Sequence, residues 1–202
     1  MAGDSLHFAS FNMRGFKTGA SMLVDLCNSH NIIAFQEHWL RSDDLKKLSL
    51  INKDFNFYAA SGMDRASSEG LLRGRPFGGV GVLFHNSLQS SIKLIGCDNS
   101  NRCIAVKCSL QGKVIILFNV YFPCFENSVE YRDEICAISG YIENVMNNSC
   151  NSDVIIMGDT NFDIFPGHAG FDCFKPLLAS LNMSPCDDLV SGLDTRGHVK
   201  TG

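Results

Sequence analysis

The stretch Val154-Ile155-Ile156-Met157-Gly158-Asp159-Thr160-Asn161-Phe162-Asp163 decides the predicted fold. Its apolar, β-favouring opening runs into a glycine and then into polar residues. This pattern predicts a strand buried on both faces, whose carboxyl end opens into a loop. In an extended chain residues i and i+2 point to the same side, so Asp159 and Asn161 can converge on one substrate atom. The alternative interpretation is a plain polar turn, because Asp, Asn and Gly are common turn residues.

The composition predicts one intracellular domain. The chain has 202 residues, 45% of them hydrophobic, which is enough for a single domain over 1–202 with one substantial core. A net charge of −4 argues against a strongly basic protein that coats nucleic acid. The nine cysteines include no Cys-x-x-Cys pair, which argues against a zinc ribbon or a thioredoxin-like site. With no secretion signal and no apolar run near the ~20 residues of a membrane span, we expect a nuclear or cytoplasmic protein.

Polar residues follow four of the predicted strands, at points where a buried sheet would not otherwise favour them. The four strand ends carry Asn12, Glu37, Asn119 with Tyr121, and Asp159 with Asn161. A predicted helix joins the first two strands, 6–12 and 31–35, and this βαβ unit calls for a right-handed crossover that makes them parallel. Both strands then open on one edge of the sheet, where open α/β proteins place their sites. Seven or eight strands in hairpin and βαβ arrangements favour two packed sheets with outer helices.

The chemistry of these polar residues is consistent with phosphate ester hydrolysis. Glu37 offers a hard oxygen ligand and, with the carboxamide of Asn12 and several waters, suits Mg²⁺ better than zinc. Asp159 can orient or deprotonate a water, while Asn161 and the hydroxyl of Tyr121 can hydrogen-bond phosphate oxygens. A single hard cation would offset charge on the phosphate or on the leaving oxygen. The residues therefore predict metal-assisted hydrolysis of a phosphodiester or a phosphomonoester.

Five segments, in order along nearly the whole chain, resemble motifs of the endonuclease/exonuclease/phosphatase superfamily. They are Phe11-Asn12-Met13-Arg14-Gly15, Gln36-Glu37-His38, Gly78-Gly79-Val80-Gly81-Val82-Leu83, Asn119-Val120-Tyr121-Phe122-Pro123 and Gly158-Asp159-Thr160-Asn161. The Asn-x-Arg-Gly and Gly-Gly-Val forms are most similar to the endonuclease domain of LINE-type non-LTR retrotransposons.

The resemblance implies an α/β fold, a four-layer sandwich of two packed mixed β-sheets flanked by helices. It implies a Mg²⁺-dependent nuclease, with Mn²⁺ as the alternative ion, that nicks target DNA and leaves a 3′-hydroxyl to prime reverse transcription. We expect DNA as the partner, no membrane, and a monomer. The implied roles are metal binding for Glu37 and Asn12, catalysis for Asp159, Asn161 and Tyr121, and substrate binding for Asn119 and Arg14.

The sequence departs from the family pattern in two places. Repair members of the superfamily carry an acidic residue where this chain has Arg14, which weakens a repair assignment. Family members also end in a Ser-x-Asp-His element, whereas residues 187–194 still resemble the family and the chain then ends at Gly202. We therefore expect a C-terminally truncated domain that lacks its last strands, with reduced or lost activity. His198 has no adjacent Asp to orient it and is a poor substitute for the missing histidine.

Two alternatives remain open from the sequence, so it does not decide whether the chain is an active enzyme. The chain can be a phosphatase of the same fold that acts on a small phosphorylated substrate. It can also be a catalytically inactive, truncated retroelement remnant. His38 follows Glu37 and faces the other way on an extended strand, so we predict a structural or rim role for it.

Overall fold

The computed structural model describes residues 6–64, 77–110, 112–124, 128–163 and 167–185. These residues form eight strands: β1 Phe8–Asn12, β2 Ile32–Gln36, β3 Phe55–Ala60, β4 Val80–His85, β5 Ile92–Cys97, β6 Cys103–Leu110, β7 Lys113–Tyr121 and β8 Asp153–Asp159. The helices are α1 Phe16–Cys27, α2 Val129–Asn147 and α3 Ala169–Ser180, with 3-10 helices at Ser42–Leu50 and Asn86–Leu88. Residues 187–194 and His198 lie outside the described residues.

The first sheet has the strand order β1-β2-β4-β3. β1 and β2 are parallel and joined through α1, as the βαβ pattern predicted, with Asn12 opposite Gln36 at their common end. β4 runs antiparallel to both β2 and β3. The ends of β1 and β2 therefore open on the same edge, which places Asn12 beside the residue that follows Gln36.

The second sheet has the order β5-β6-β7-β8, and its last pair, β7 and β8, is parallel with Tyr121 opposite Asp159. The prediction that β8 is buried on both faces is wrong. Its residues after Asp153 are only half-buried. The physical reason is that β8 pairs with β7 on one side and is the outermost strand of the sheet within the described residues.

The two sheets pack face to face through alternate residues of their strands. Val82 of β4, Val106 of β6 and Leu117 of β7 are fully buried in one apolar cluster between the sheets. On the other face of the first sheet, a second cluster joins Leu23 of α1 to Phe35 of β2. Burying each such side chain contributes about 1.5–3 kcal/mol. The predicted fold class, α/β with two packed mixed sheets and helices, is confirmed.

The chain divides into two compact units. The first unit, Met1–Tyr121 with Met146–Asp159, contains both sheets and α1. The second unit, Phe122–Val145 with Thr160–Gly202, contains α3 and most of α2, and the rings of Phe122 and Phe174 pack in it with centroids 5.1 Å apart. The single domain over 1–202 stays a prediction. In the described part of the chain, no helix has both the length and the apolar character needed to span a membrane.

Candidate active site

Two carboxylates converge on one amide group at the edge of the first compact unit. The Nδ2 of Asn12 donates to the Oε1 of Glu37 at 2.8 Å and to the Oδ2 of Asp159 at 2.7 Å. Asn12 ends β1 and Asp159 ends β8, so the cluster joins the two sheets at their shared edge. Three of the predicted site residues are thereby brought together, although Asn12 and Asp159 are 147 positions apart in the chain.

The backbone holds Glu37 in an unusual conformation. Its φ is 55°, in the left-handed region that non-glycine residues rarely occupy. The Glu37 N–H donates to the carbonyl of Gly79 at 2.8 Å, and the Glu37 carbonyl accepts from the N–H of Gly15 at 2.7 Å. The backbone of Glu37 is therefore hydrogen-bonded to the loop after β1 and to the loop before β4. Such a conformation costs about 1–3 kcal/mol and persists only where the surroundings enforce it.

His38 supports this loop from the interior. Its ring is fully buried, its Nδ1 accepts from the N–H of Leu40 at 3.0 Å, and its Nε2 therefore carries the proton and donates to the carbonyl of Ala60 at 3.0 Å. Burial lowers the pKa of His38 to about 4, so the imidazole is neutral at physiological pH. Gly79 lies so close that a Cβ there would collide with the imidazole. The arrangement agrees with the structural role predicted for His38.

Tyr121 is paired with Asp159 across the strands and also contacts Arg102, a residue that the sequence did not single out. It is opposite Asp159 across β7 and β8, and its ring, only 7% exposed, has the guanidinium of Arg102 at 5.2 Å from its centroid. The Tyr121 N–H donates to the Arg102 carbonyl at 2.7 Å, and the Arg102 N–H donates to Asp98 Oδ1 at 2.8 Å. The sequence did not predict a site role for Arg102, because a polar turn before a strand occurs in many loops.

Asn119 does not occupy the position that its predicted substrate contact requires. Its side chain is fully buried, and its Nδ2 donates to the carbonyls of Phe35 at 2.9 Å and Gly81 at 2.7 Å. Its Oδ1 accepts from the Nε2 of Gln36 at 2.6 Å. Both amide hydrogens are used inside the protein, so this carboxamide joins the second sheet to the backbone of the first. Gln36, also missed from the sequence, is part of the same buried network.

The last two predicted residues occupy different surroundings. Arg14 is an exposed residue with φ 48°, and its backbone N–H donates to Asn12 Oδ1 at 3.0 Å, so its backbone lies beside the cluster. Asn161 belongs to the second compact unit, where its Nδ2 donates to the carbonyl of Phe122 at 2.8 Å. Convergence of Asn161 with Asp159 on one atom stays a prediction.

The donor set fits a hard cation that retains waters. Glu37 and Asp159 bring two carboxylates to one point, and Mg²⁺ is usually held by one or two carboxylates with several waters. Within the described ranges, no group of three or more His, Cys, Asp or Glu side chains is arranged to hold a metal. The predicted role of Asn12 changes, because its oxygen faces the N–H of Arg14 and its NH₂ faces the carboxylates. Asn12 therefore orients the carboxylates rather than offering them a third oxygen.

A sequence comparison identifies the family. The family model described as "Endonuclease/Exonuclease/phosphatase family" matches residues 9–196. The chain belongs to this family. The match spans both carboxylates of the cluster and confirms the superfamily that the motifs predicted. A comparison with curated proteins found no match.

Solved structures of the Endonuclease/Exonuclease/phosphatase fold resemble the chain over most of its length. A 3′ phosphatase, NExo, from Neisseria bound to a product DNA hairpin has a TM-score of 0.66 at 15% identity, covering 96% of this chain and 81% of that one. An AP endonuclease from Archaeoglobus fulgidus has a TM-score of 0.62 at 13% identity, covering 87% and 71%. The human Nocturnin catalytic domain has a TM-score of 0.57 at 15% identity, covering 92% and 73%. At such identities the similarity establishes the fold.

Proposed function

We propose that this protein is a Mg²⁺-dependent phosphodiesterase that nicks DNA, of the retrotransposon endonuclease type. The observation that carries the proposal is the pair of carboxylates, Glu37 and Asp159, held on the amide of Asn12 at 2.7–2.8 Å. Two carboxylates held this close together favour a bound cation, because nearby like charges disfavour each other's ionised form. A hard divalent cation supplies that charge and suits oxygen donors.

The steps of phosphate ester hydrolysis are assigned to the site residues that the sequence predicts. Glu37 would hold the metal ion, which would offset negative charge on the phosphate. Asp159 orients the attacking water and accepts its proton. The Tyr121 hydroxyl and the Asn161 amide donate to phosphate oxygens, and the guanidinium of the exposed residue Arg14 attracts the substrate's backbone. Asn12 keeps the two carboxylates in place while the substrate binds.

DNA is the substrate that the observations favour. The Asn-x-Arg-Gly and Gly-Gly-Val segments resemble retrotransposon endonucleases, and NExo, whose fold is similar, is bound to a DNA hairpin product. The net charge of −4 makes non-specific coating of DNA unfavourable, so binding must depend on local cations such as Arg14 and on the metal ion.

Nicking of supercoiled plasmid tests the proposal. The full chain with Mg²⁺ should convert supercoiled plasmid to the nicked form, and EDTA should abolish the conversion. Asp159→Asn should lower the rate by about 10²–10⁴-fold, because it removes the proton acceptor. Asp153→Asn is the matched control, since Asp153 is exposed at the other end of β8. If wild-type protein that is folded by circular dichroism does not nick, the nuclease proposal is withdrawn.

A phosphomonoesterase is the second candidate, favoured by the similarity of the fold to a 3′ phosphatase. Assaying plasmid beside a DNA duplex with a 3′-phosphate and a small aryl phosphate separates the two. Release of phosphate from the monoesters without nicking would favour the phosphatase. Folded protein with neither activity would favour an inactive retroelement remnant.

A further inference from the structure

Arg102, Tyr121 and Asp159 lie in a row at the edge of the second sheet that carries the carboxylate cluster. Arg102 immediately precedes β6, and its carbonyl accepts from the N–H of Tyr121, the last residue of β7, at 2.7 Å. Tyr121 is in turn paired with Asp159 at the end of β8. Residues paired across neighbouring strands point to the same face of a sheet, so Tyr121 lies on the face from which Asp159 reaches Asn12.

The guanidinium of Arg102 lies over the aromatic face of Tyr121. Its Cζ is 5.2 Å from the ring centroid, within the distance at which a cation and an aromatic ring attract each other. The ring is buried and Arg102 is half-buried, and the attraction is stronger where water is excluded. The contact therefore restricts the position of the ring beside the carboxylate cluster.

A buried carboxylate orders the turn that carries Arg102. The Oδ1 of Asp98 accepts from the N–H of Arg102 at 2.8 Å and from that of the next residue at 2.7 Å. Its Oδ2 accepts from the N–H of Ser100 at 3.0 Å and from the Ser100 hydroxyl. Asn101, with φ 55°, donates through its Nδ2 to the carbonyl of Ser61 at 3.0 Å. These hydrogen bonds fix the backbone from which the guanidinium reaches the ring.

We propose that Arg102 is a positioning residue for Tyr121, whose guanidinium holds the phenol where its hydroxyl donates to a phosphate oxygen of the substrate. This inference rests on the proposed function, in which the Tyr121 hydroxyl binds that phosphate. Arg102 acts through the ring on which it is stacked and not through a contact of its own with the substrate. Removing the guanidinium therefore slows nicking only while the Tyr121 hydroxyl is present.

Single-turnover nicking of supercoiled plasmid, with Mg²⁺ and saturating full-length protein, tests the inference as a double-mutant cycle. Arg102→Met should lower the nicking rate by about five- to thirtyfold, the rate equivalent of one cation–π contact. In the Tyr121→Phe background the same substitution should change the rate by less than about twofold, because the hydroxyl that Arg102 positions is gone. Lys107→Met is the matched control, since it removes one positive charge from an exposed position on β6 and should nick like wild type.

Thermal stability separates positioning from a purely structural role. Phenylalanine at position 121 keeps the ring, so Arg102→Met should lower the Tm by a similar amount in both backgrounds. Only the nicking rate should depend on the hydroxyl. If Arg102→Met folds poorly, Arg102→Lys replaces it, because lysine keeps the cation and loses the flat guanidinium. Arg102→Lys should show a smaller loss of rate, which should also disappear in Tyr121→Phe.

Two results would overturn the inference while leaving the proposed function standing. One is a wild-type nicking rate in Arg102→Met. The other is an equal fold-loss in both backgrounds, because Arg102 would then act independently of the hydroxyl, as a direct contact with the substrate does. Absence of nicking by folded wild-type protein would instead overturn the proposed function, and the role of Arg102 with it.

Discussion

At the scale of single residues, the carboxamide of Asn12 is the group on which two carboxylates of the cluster converge. Hydrogen bonds to charged groups contribute about 1.5–3 kcal/mol each in protected settings and less where water reaches them, as it does here. Asn12 also keeps Glu37 and Asp159 at a fixed separation. The Asn12 side chain is therefore expected to contribute both to the free energy of unfolding and to the rate of catalysis.

Replacing Asn12 with Ala should lower the free energy of unfolding by about 1–2 kcal/mol at pH 7, because two half-buried carboxylates lose their common donor. The plasmid-nicking rate should fall by about tenfold or more. Urea denaturation and the nicking assay measure the two effects. A variant with wild-type stability and wild-type nicking would show that Asn12 does not orient the carboxylates.

His38 predicts a pH dependence of stability. The folded chain holds this imidazole neutral with a pKa of about 4, whereas in the unfolded chain it titrates near 6.5. The unfolded state therefore binds more protons than the folded state between pH 4 and pH 6.5. The contribution of His38 to the free energy of unfolding consequently falls as the pH drops from about 6.5 to 4. The slope is at most about 1.4 kcal/mol per pH unit.

Urea midpoints measured between pH 7.5 and 4.5 check this expectation. A His38→Gln protein should show a shallower decline, since its side chain does not titrate. The control substitution is His85→Gln, because His85 is a half-buried histidine on the first sheet. Parallel pH profiles for wild type and His38→Gln would contradict the assignment.

At the scale of elements, the side chain of Asn119 links the two sheets through buried hydrogen bonds. It projects from β7 of the second sheet and hydrogen-bonds the carbonyls of Phe35 and Gly81 and the amide of Gln36 in the first sheet. The sequence correctly placed Asn119 at the end region of a buried strand. It could not show that the side chain points into the core, because a polar residue between apolar ones fits either a binding edge or a buried network.

Asn119→Leu, which has a similar volume, should destabilise the protein by about 3 kcal/mol, because it removes three buried hydrogen bonds. Chemical denaturation measures the loss, with Asn99→Leu in an exposed turn as the control. An Asn119→Leu protein as stable as wild type would mean that these hydrogen bonds contribute no net stability.

Alanine substitutions at Gly79, in the loop before β4, and at Gly112, between β6 and β7, should destabilise the protein by different amounts. Gly79 has φ 91° and faces the His38 ring, whereas Gly112 has φ 80° and nothing within 4 Å of an added Cβ. Gly112→Ala should cost only the backbone strain, about 1 kcal/mol. Gly79→Ala should cost about 2 kcal/mol more, because the imidazole must also move. Thermal denaturation of both variants measures the difference, and equal losses would count against the steric explanation.

At the scale of the whole molecule, the carboxylate cluster should couple metal binding to stability. A ligand that binds only the folded state stabilises it, by about 2.7 kcal/mol at 100 times its Kd. Mg²⁺ should therefore raise the Tm of wild-type protein and of Asp153→Asn, and should raise that of Glu37→Gln much less. Calorimetric scans with Mg²⁺ and with EDTA make the comparison. Equal shifts in all three proteins would place the ion elsewhere.

The sequence by itself determined the elements and the family. Apolar runs that end in polar residues marked the main strands, the βαβ pattern made β1 and β2 parallel, and the ordered motifs predicted the superfamily. The tertiary structure alone decided which polar ends meet: Asn12 with Asp159 across two sheets, Arg102 over Tyr121, and Asn119 inside the core. The physical reason is that alternation specifies the face of a strand on which a side chain lies. Which residues then come into contact depends on how the two sheets stack, and long-range packing sets that.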